Sequence, residues 1–260
     1  MKVVVIIPAA GLGTRMAPVP SAPIPSSQIP STKDAQTKKA PPSKQFTELG
    51  GTPILIHTLR KFAAVEAVSE IWIALRENEV EGFREQLSSH AADVLNGDLL
   101  KKKVELVVGG EHRQQSVANA LNAITAAPDD IVLVHDAVRP LVTPEIIHEV
   151  IEAARKYGAA IAGMPAVDTV KQVERTAEGA IIKGTIPRAG IVLAQTPQGF
   201  RYSVIKKAFD EAAADGFMGT DEASLAERSG HEVAVVMGSA RNIKITTPAD
   251  MDLAEFYLRK

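Results

Sequence analysis

The chain of 260 residues contains no cysteine, which excludes disulfides, thiolate-bound zinc and a cysteine nucleophile. It has little net charge, since 29 basic and 31 acidic residues leave -2. Nothing in that balance draws it to nucleic acid or a membrane surface, so any cationic site must come from local arrangement. Long apolar runs are missing as well, and none approaches a membrane span. The run after Met1-Lys2 is too short for a signal peptide and ends in a glycine turn, so a cytoplasmic protein is expected. The six histidines form no metal-ligand spacing. The single tryptophan, Trp72, lies inside an apolar stretch and reads as core rather than as a stacking platform. No internal repeat is visible.

What is present is a hydrophobic content of 45%, ample for a substantial core, on a length that suits one large α/β domain or one domain with an appendage. The organising stretch is Pro8-Ala9-Ala10-Gly11-Leu12-Gly13-Thr14-Arg15-Met16. It follows Val3-Val4-Val5-Ile6-Ile7, a β-branched run expected to form a strand buried on both faces. Small residues and glycines let backbone N–H groups approach anionic oxygens, and Arg15 adds a fixed positive charge suited to phosphate. The third glycine of a dinucleotide fingerprint is replaced by Met16, and the Gly-Lys-Ser/Thr ending of a Walker A loop is absent. Alone, the turn is as well explained by tight chain reversal. Residues 17–43 hold seven prolines and five serines without an aromatic side chain. They cannot bury enough apolar area to fold alone and are expected to form a flexible insert, with Lys33, Lys38 and Lys39 solvated. Order resumes at Ser43-Lys44-Gln45-Phe46.

Strands and helices then alternate. Strands are expected at 71–75, 104–108, 131–134 and 159–164, and helices at about 79–88, 114–124 and 144–157. Thr52-Pro53, Thr143-Pro144 and Thr247-Pro248 each read as a cap followed by a helical proline. The alternation predicts a doubly wound, mostly parallel Rossmann-like sheet. Residues 168–174 and 180–185 break the rhythm as a protruding β-hairpin arm, within about 166–188, too thin to stand alone and suited to lean on a partner subunit. Strand 191–194, helices 203–214 and 221–229 and strand 233–237 follow.

The chemistry gathers at strand ends, which face one crevice in an open parallel sheet. They carry Ala9-Ala10-Gly11, Gly109-Gly110-Glu111 and Asp136-Ala137. The paired glycines permit a flat base or sugar to lie against backbone. Ser116 has the chemistry to bond a ligand, or merely its own helix start. Asp136 suits a hard divalent cation bridging phosphates, or a loop cap, and Arg139 suits an anionic substrate. His135 is expected to pack or hydrogen-bond locally.

Eight patterns occur in order: P-A-A-G-x-G-x-R-M, P-x-K-Q-F, G-G-x-x-R-x-x-S-V, V-H-D-A-x-R-P, D-T-V-K, T-P-Q-x-F, T-D-E-A and N-I-K-x-T. Together they resemble the 2-C-methyl-D-erythritol 4-phosphate cytidylyltransferases, which transfer CMP from CTP in the non-mevalonate isoprenoid pathway. The resemblance spans the chain except residues 17–43. It implies that Ala9, Ala10, Gly11, Gly13 and Ala137 contact CTP, with Gly110, Glu111 and Ser116 reading cytosine. Arg15 and Lys44 would bind the triphosphate and stabilise the transition state, and Asp136 would support Mg²⁺, CTP and substrate. Arg139, Thr169, Arg188 and Lys244 would hold the sugar-alcohol phosphate, Lys244 also lying near the α-phosphate. A homodimer with crossing arms is implied, so that Arg188 serves the neighbouring site. Relatives keep the Arg15 and Lys44 equivalents about seven residues apart; here residues 16–43 separate them, and the expectation is a flap closing over CTP. Lengthening a flexible loop costs only about 0.6 kcal/mol per doubling, so Lys44 can still return to the site. A ribitol 5-phosphate cytidylyltransferase and a non-catalytic nucleotide-binding module are the alternatives.

Overall fold

The computed structural model describes residues 1–11, 43–89, 102–176 and 179–259. A seven-stranded sheet has the order β11-β7-β10-β6-β1-β4-β5. Its members are β1 (Val3–Pro8), β4 (Glu70–Leu75), β5 (Lys103–Val108), β6 (Ile131–Val134), β7 (Ala159–Pro165), β10 (Val192–Arg201) and β11 (Ala234–Met237). All neighbours run parallel except β10, which is antiparallel to both β6 and β7. The expected doubly wound sheet is therefore present, with one reversed strand. β10 is also longer than the four residues anticipated from sequence, because it continues through Thr196-Pro197-Gln198.

The alternation of side chains along β1 splits the core into two layers. Val3, Val5 and Ile7 face α1 (Ile54–Ala63) and α4 (Pro144–Tyr157), while Val4 and Ile6 face α3 (Arg113–Ala123), α5 (Tyr202–Ala214) and α6 (Glu222–Arg228). Each of these five β1 side chains is 0% exposed, worth about 1.5–3 kcal/mol apiece when fully buried. Trp72 belongs to the second layer, its indole N–H donating to Glu70 Oε2 at 3.0 Å. A third cluster, of Leu49, Ile54, Val138, Ile245 and Ala254, ties the loop after β6 to the chain before α7 (Pro248–Leu258).

Two of the three expected caps hold: Thr143 accepts from Ile146 N–H and Thr247 from Asp250 N–H, each followed by a proline in the first turn. Thr52-Pro53 does otherwise. It forms the short strand β3 against β2 (Glu48–Leu49), and α1 begins at Ile54 with Pro53 as an N-cap lacking a side-chain bond. The turn at Gly50-Gly51, both at positive φ, brings the two segments into antiparallel register and claims the residues that would have capped the helix. α6 is capped by Asp221, whose side chain accepts from Ser224 N–H. The arm is present as β8 (Val170–Thr176) and β9 (Gly179–Ile186), antiparallel and separate from the main sheet. The proposed flap, and with it Arg15 and Gly13, lies outside the described residues.

Candidate active site

A cavity of about 470 Å³ opens at the carboxyl ends of β1, β5 and β6. Ala9, Ala10 and Gly11 form one wall, Gly110, Glu111 and Ser116 a second, and Asp136 and Ala137 the floor. Lys44 reaches it from the short 3-10 helix Lys44–Phe46 and Lys244 from a loop. The structure thus collects ten of the residues expected from sequence, drawn from five separate stretches of chain.

The glycines have a packing reason. A Cβ on Gly109 would lie 2.5 Å from Ala10 Cβ and 2.9 Å from Ser116 Oγ, and one on Gly110 2.3 Å from Gln115 Cβ. The start of α3 can sit this close to the β1 turn only against bare backbone. Ser116, 2% exposed, accepts from Gly110 N–H at 3.1 Å and donates to His112 O at 3.2 Å. It both lines the cavity and shapes the glycine loop. Gly11, by contrast, has open space where a Cβ would stand.

Asp136 is the electrostatic centre. Its Oδ1 receives Arg113 Nε at 3.2 Å, and its Oδ2 receives Arg139 Nε at 3.3 Å and Lys244 Nζ at 2.9 Å. Burial alone would raise this carboxyl, but Arg113, Lys244 and Arg139 outweigh it and hold it well below the usual carboxylate range. Arg113 is shared: its Nη1 donates to both oxygens of Glu222, at 2.7 and 2.9 Å, and Glu222 is 2% exposed. Burial pushes the Glu222 carboxyl upward against the pull of Arg113.

Backbone ties fix these charges. Ile245 N–H donates to Val138 O at 2.9 Å, locking the Lys244 segment to the Asp136 loop. Arg139 Nη1 donates to Asn242 O at 2.7 Å, and Asn242 Nδ2 donates to Thr196 O at 2.8 Å. Below them His135, 0% exposed, packs edge-on against Phe62. Its Nε2 faces Arg139 O at 3.1 Å and its Nδ1 faces Thr196 Oγ1 at 3.1 Å, while that hydroxyl oxygen accepts from Asp136 N–H. The carbonyl at Nε2 makes that nitrogen the protonated one. Burial lowers the ring's pKa to about 4, so it stays neutral.

Arg139 lies beside the cavity through Asp136, whereas Thr169 and Arg188 are exposed on the arm and line no part of it. Arg188 donates to the carbonyl of Val167. Arg113 and Glu222 carried no role in the sequence reading, although both stand in the quoted patterns G-G-x-x-R and T-D-E-A. Among the described residues, no three carboxylate or imidazole groups form a metal cage. Asp136 Oδ1 nevertheless takes one cation contact against two at Oδ2, which leaves it a lone pair. That donor set fits a hard cation held chiefly by phosphate oxygens.

The sequence profile of the 2-C-methyl-D-erythritol 4-phosphate cytidylyltransferases matches residues 29–260. Proteins of that name from Acidobacterium capsulatum and Solibacter usitatus are 55% and 48% identical over the whole chain, covering 98% and 97% of their own lengths. The crystal structure of the Francisella tularensis protein of that name superposes with a TM-score of 0.71 at 34% identity, covering 98% of this chain and 99% of that one. The 4-diphosphocytidyl-2C-methyl-D-erythritol synthase of Anaerococcus prevotii gives 0.74 at 27% identity, covering 100% and 99%. Sheet order, strand-end cavity and full-length similarity agree, and the chain belongs to the 2-C-methyl-D-erythritol 4-phosphate cytidylyltransferase family.

Proposed function

We propose that residues 1–260 form one nucleotidyltransferase unit whose strand-end cavity joins CTP to 2-C-methyl-D-erythritol 4-phosphate, releasing pyrophosphate and 4-diphosphocytidyl-2-C-methyl-D-erythritol. The observation that carries this is the meeting of Lys44, Lys244 and Asp136 with the glycine-lined walls in one cavity. The substrate phosphate is already an anionic nucleophile at neutral pH, so no serine, histidine or strong general base is needed. Its oxygen forms a bond to the α-phosphorus of CTP, and the bond from that phosphorus to the β-bridging oxygen breaks, the electron pair leaving on pyrophosphate. The barrier is the approach of two polyanions, and positioning with charge neutralisation lowers it.

In this reading Ala9, Ala10, Gly11, Gly13 and Ala137 hold the nucleotide, and Gly110, Glu111 and Ser116 recognise cytosine. Arg15 and Lys44 neutralise the triphosphate. Lys244 and Arg139 hold the incoming phosphate, with Thr169 and Arg188 supplied by the arm of a partner subunit. The apolar arm residues Val173, Ile181 and Ile182, 46%, 56% and 60% exposed, support a homodimer in which they are covered. Asp136 would be the residue that holds Mg²⁺, which when bound would supply Lewis-acid polarisation of a phosphoryl group. A cytoplasmic location suits an enzyme that consumes CTP; among the described residues no helix is long and apolar enough to cross a membrane.

Pyrophosphate release measured with CTP, and with methylerythritol phosphate or ribitol 5-phosphate as acceptor, tests the assignment. Turnover with the first acceptor at least a hundredfold faster is expected; preference for ribitol 5-phosphate, or no turnover with either, would refute it.

A further inference from the structure

The two chain ends that border residues 12–42 meet at one place. Arg76, immediately before α2 (Glu77–Ser89), donates from Nε to the Ala10 carbonyl at 3.1 Å and from Nη2 to the Gly11 carbonyl at 2.9 Å. In the first turn of α2, Glu79 accepts the hydroxyl proton of Ser43. Gln45 closes the arrangement by donating its side-chain amide to the Ala9 carbonyl. Arg76 and Glu79 are themselves joined, Glu79 N–H donating to Arg76 O at 2.9 Å with their charged groups 3.9 Å apart. Ser43 and Gln45 are each 2% exposed, and between them Lys44 reaches the cavity. Neither Arg76 nor Glu79 lines that cavity.

We propose that Arg76 and Glu79 are positioning residues for the transfer reaction, acting through Lys44. The clamp ties both described chain ends directly to the start of α2: Arg76 fixes the carbonyl side of the first glycine turn, and Glu79 fixes the residue before Lys44. Lys44 is thereby held at the cavity beside the nucleotide wall. Because Arg76 binds carbonyls, it also leaves the N–H groups of that turn to face phosphate oxygens. The proposal rests on the reading that Lys44 contacts the triphosphate.

Steady-state kinetics of Arg76→Gln and Glu79→Gln, each alone and with Lys44→Gln, test it. In the parent background each is expected to lower kcat/KM for CTP about ten- to hundredfold, the scale of a small misplacement, with KM for methylerythritol phosphate changed less than twofold. Arg76→Lys, able to reach one carbonyl, should recover part of the loss. In the Lys44→Gln background Glu79→Gln should cost less than twofold, since the group it positions is gone. Equal losses in both backgrounds, or parent-like kinetics of both variants, would overturn the clamp. Ser43→Ala, which removes only the hydroxyl, gives the same readout if a charge variant fails to fold. A parent enzyme that does not turn over would instead count against the assigned reaction.

Discussion

The floor of the cavity and the β8–β9 arm are built from opposite materials. Around Asp136 three cations and the buried Glu222 satisfy one another within a single chain, over a layer that includes the neutral His135. The arm has a ladder of its own, but among the described residues no layer lies beneath it, and Val173, Ile181 and Ile182 stand in solvent. A two-stranded ribbon is marginal on its own. The floor is thus satisfied within this chain, while the arm leaves apolar side chains in solvent. Under the proposed function, nucleotide chemistry is local and completion of the sugar-phosphate site depends on assembly.

The largest blow to the self-contained half is Asp136→Asn. It leaves Arg139 and Lys244 without their counter-charge, and a buried pair broken on one side costs about 3–5 kcal/mol. Because Lys244 is 35% exposed at its side chain, a loss near the lower end is expected, read as a fall in denaturation midpoint. Turnover should drop about 10²–10³-fold, the scale of losing one preorganised charge. The Asp136 carboxyl is depressed in the folded state, so its contribution is intact at neutral pH and is lost only as pH falls into strong acid. Parent-like kcat would remove Asp136 from the reaction.

Next in size is a test of the incomplete half. Arg188→Gln alone should be nearly inactive, like Asp136→Asn alone. Mixed and refolded together, the two inactive chains should regain roughly a quarter of parental activity, since half the dimers are mixed and each of those has one intact site. No recovery would mean that the arm serves its own protomer.

Much of the cavity was legible in sequence because its residues sit next to recognisable strand ends: Asp136 follows Ile131–Val134, and Gly109-Gly110 follows Lys103–Val108. What escaped was the function of residues that act across long separations. Arg113 meets Glu222 109 positions away, and no local periodicity announces a partner at that range. Thr52-Pro53 misled for the converse reason: its local signal is a cap, but Gly50-Gly51 folds it onto Glu48–Leu49 as strand. The parallel rhythm of the chain equally hid the direction of β10, expected as a strand at 191–194, whose reversal follows from its entry through the arm rather than through a crossover helix.

His135 supplies a smaller effect within the floor. Its pKa falls from 6.5 to about 4 on folding, so the unfolded chain takes up a proton that the folded one refuses. Stability from this group is full above pH 6.5 and declines as pH drops toward 4, by on the order of 3 kcal/mol. Urea titrations at pH 7 and pH 4.5 should show that decline, and His135→Gln, weaker at pH 7, should show a shallower one. Identical slopes for both proteins would assign the acid sensitivity elsewhere.

The smallest expectation belongs to the arm and sharpens the contrast with Asp136. Lys183 pairs with Glu174 across the β8–β9 ladder, but their side chains are 53% and 61% exposed. Water and salt screen such a pair, and exposed pairs contribute about 0–1 kcal/mol. Glu174→Gln should therefore leave the melting temperature of the body unmoved and activity within twofold. The same change of one carboxylate to an amide is decisive at Asp136, where burial removes the water that makes Glu174 dispensable. A marked loss of dimer in Glu174→Gln, seen by sedimentation, would instead mean that the pair is buried on assembly and that the interface extends to the outer part of the arm.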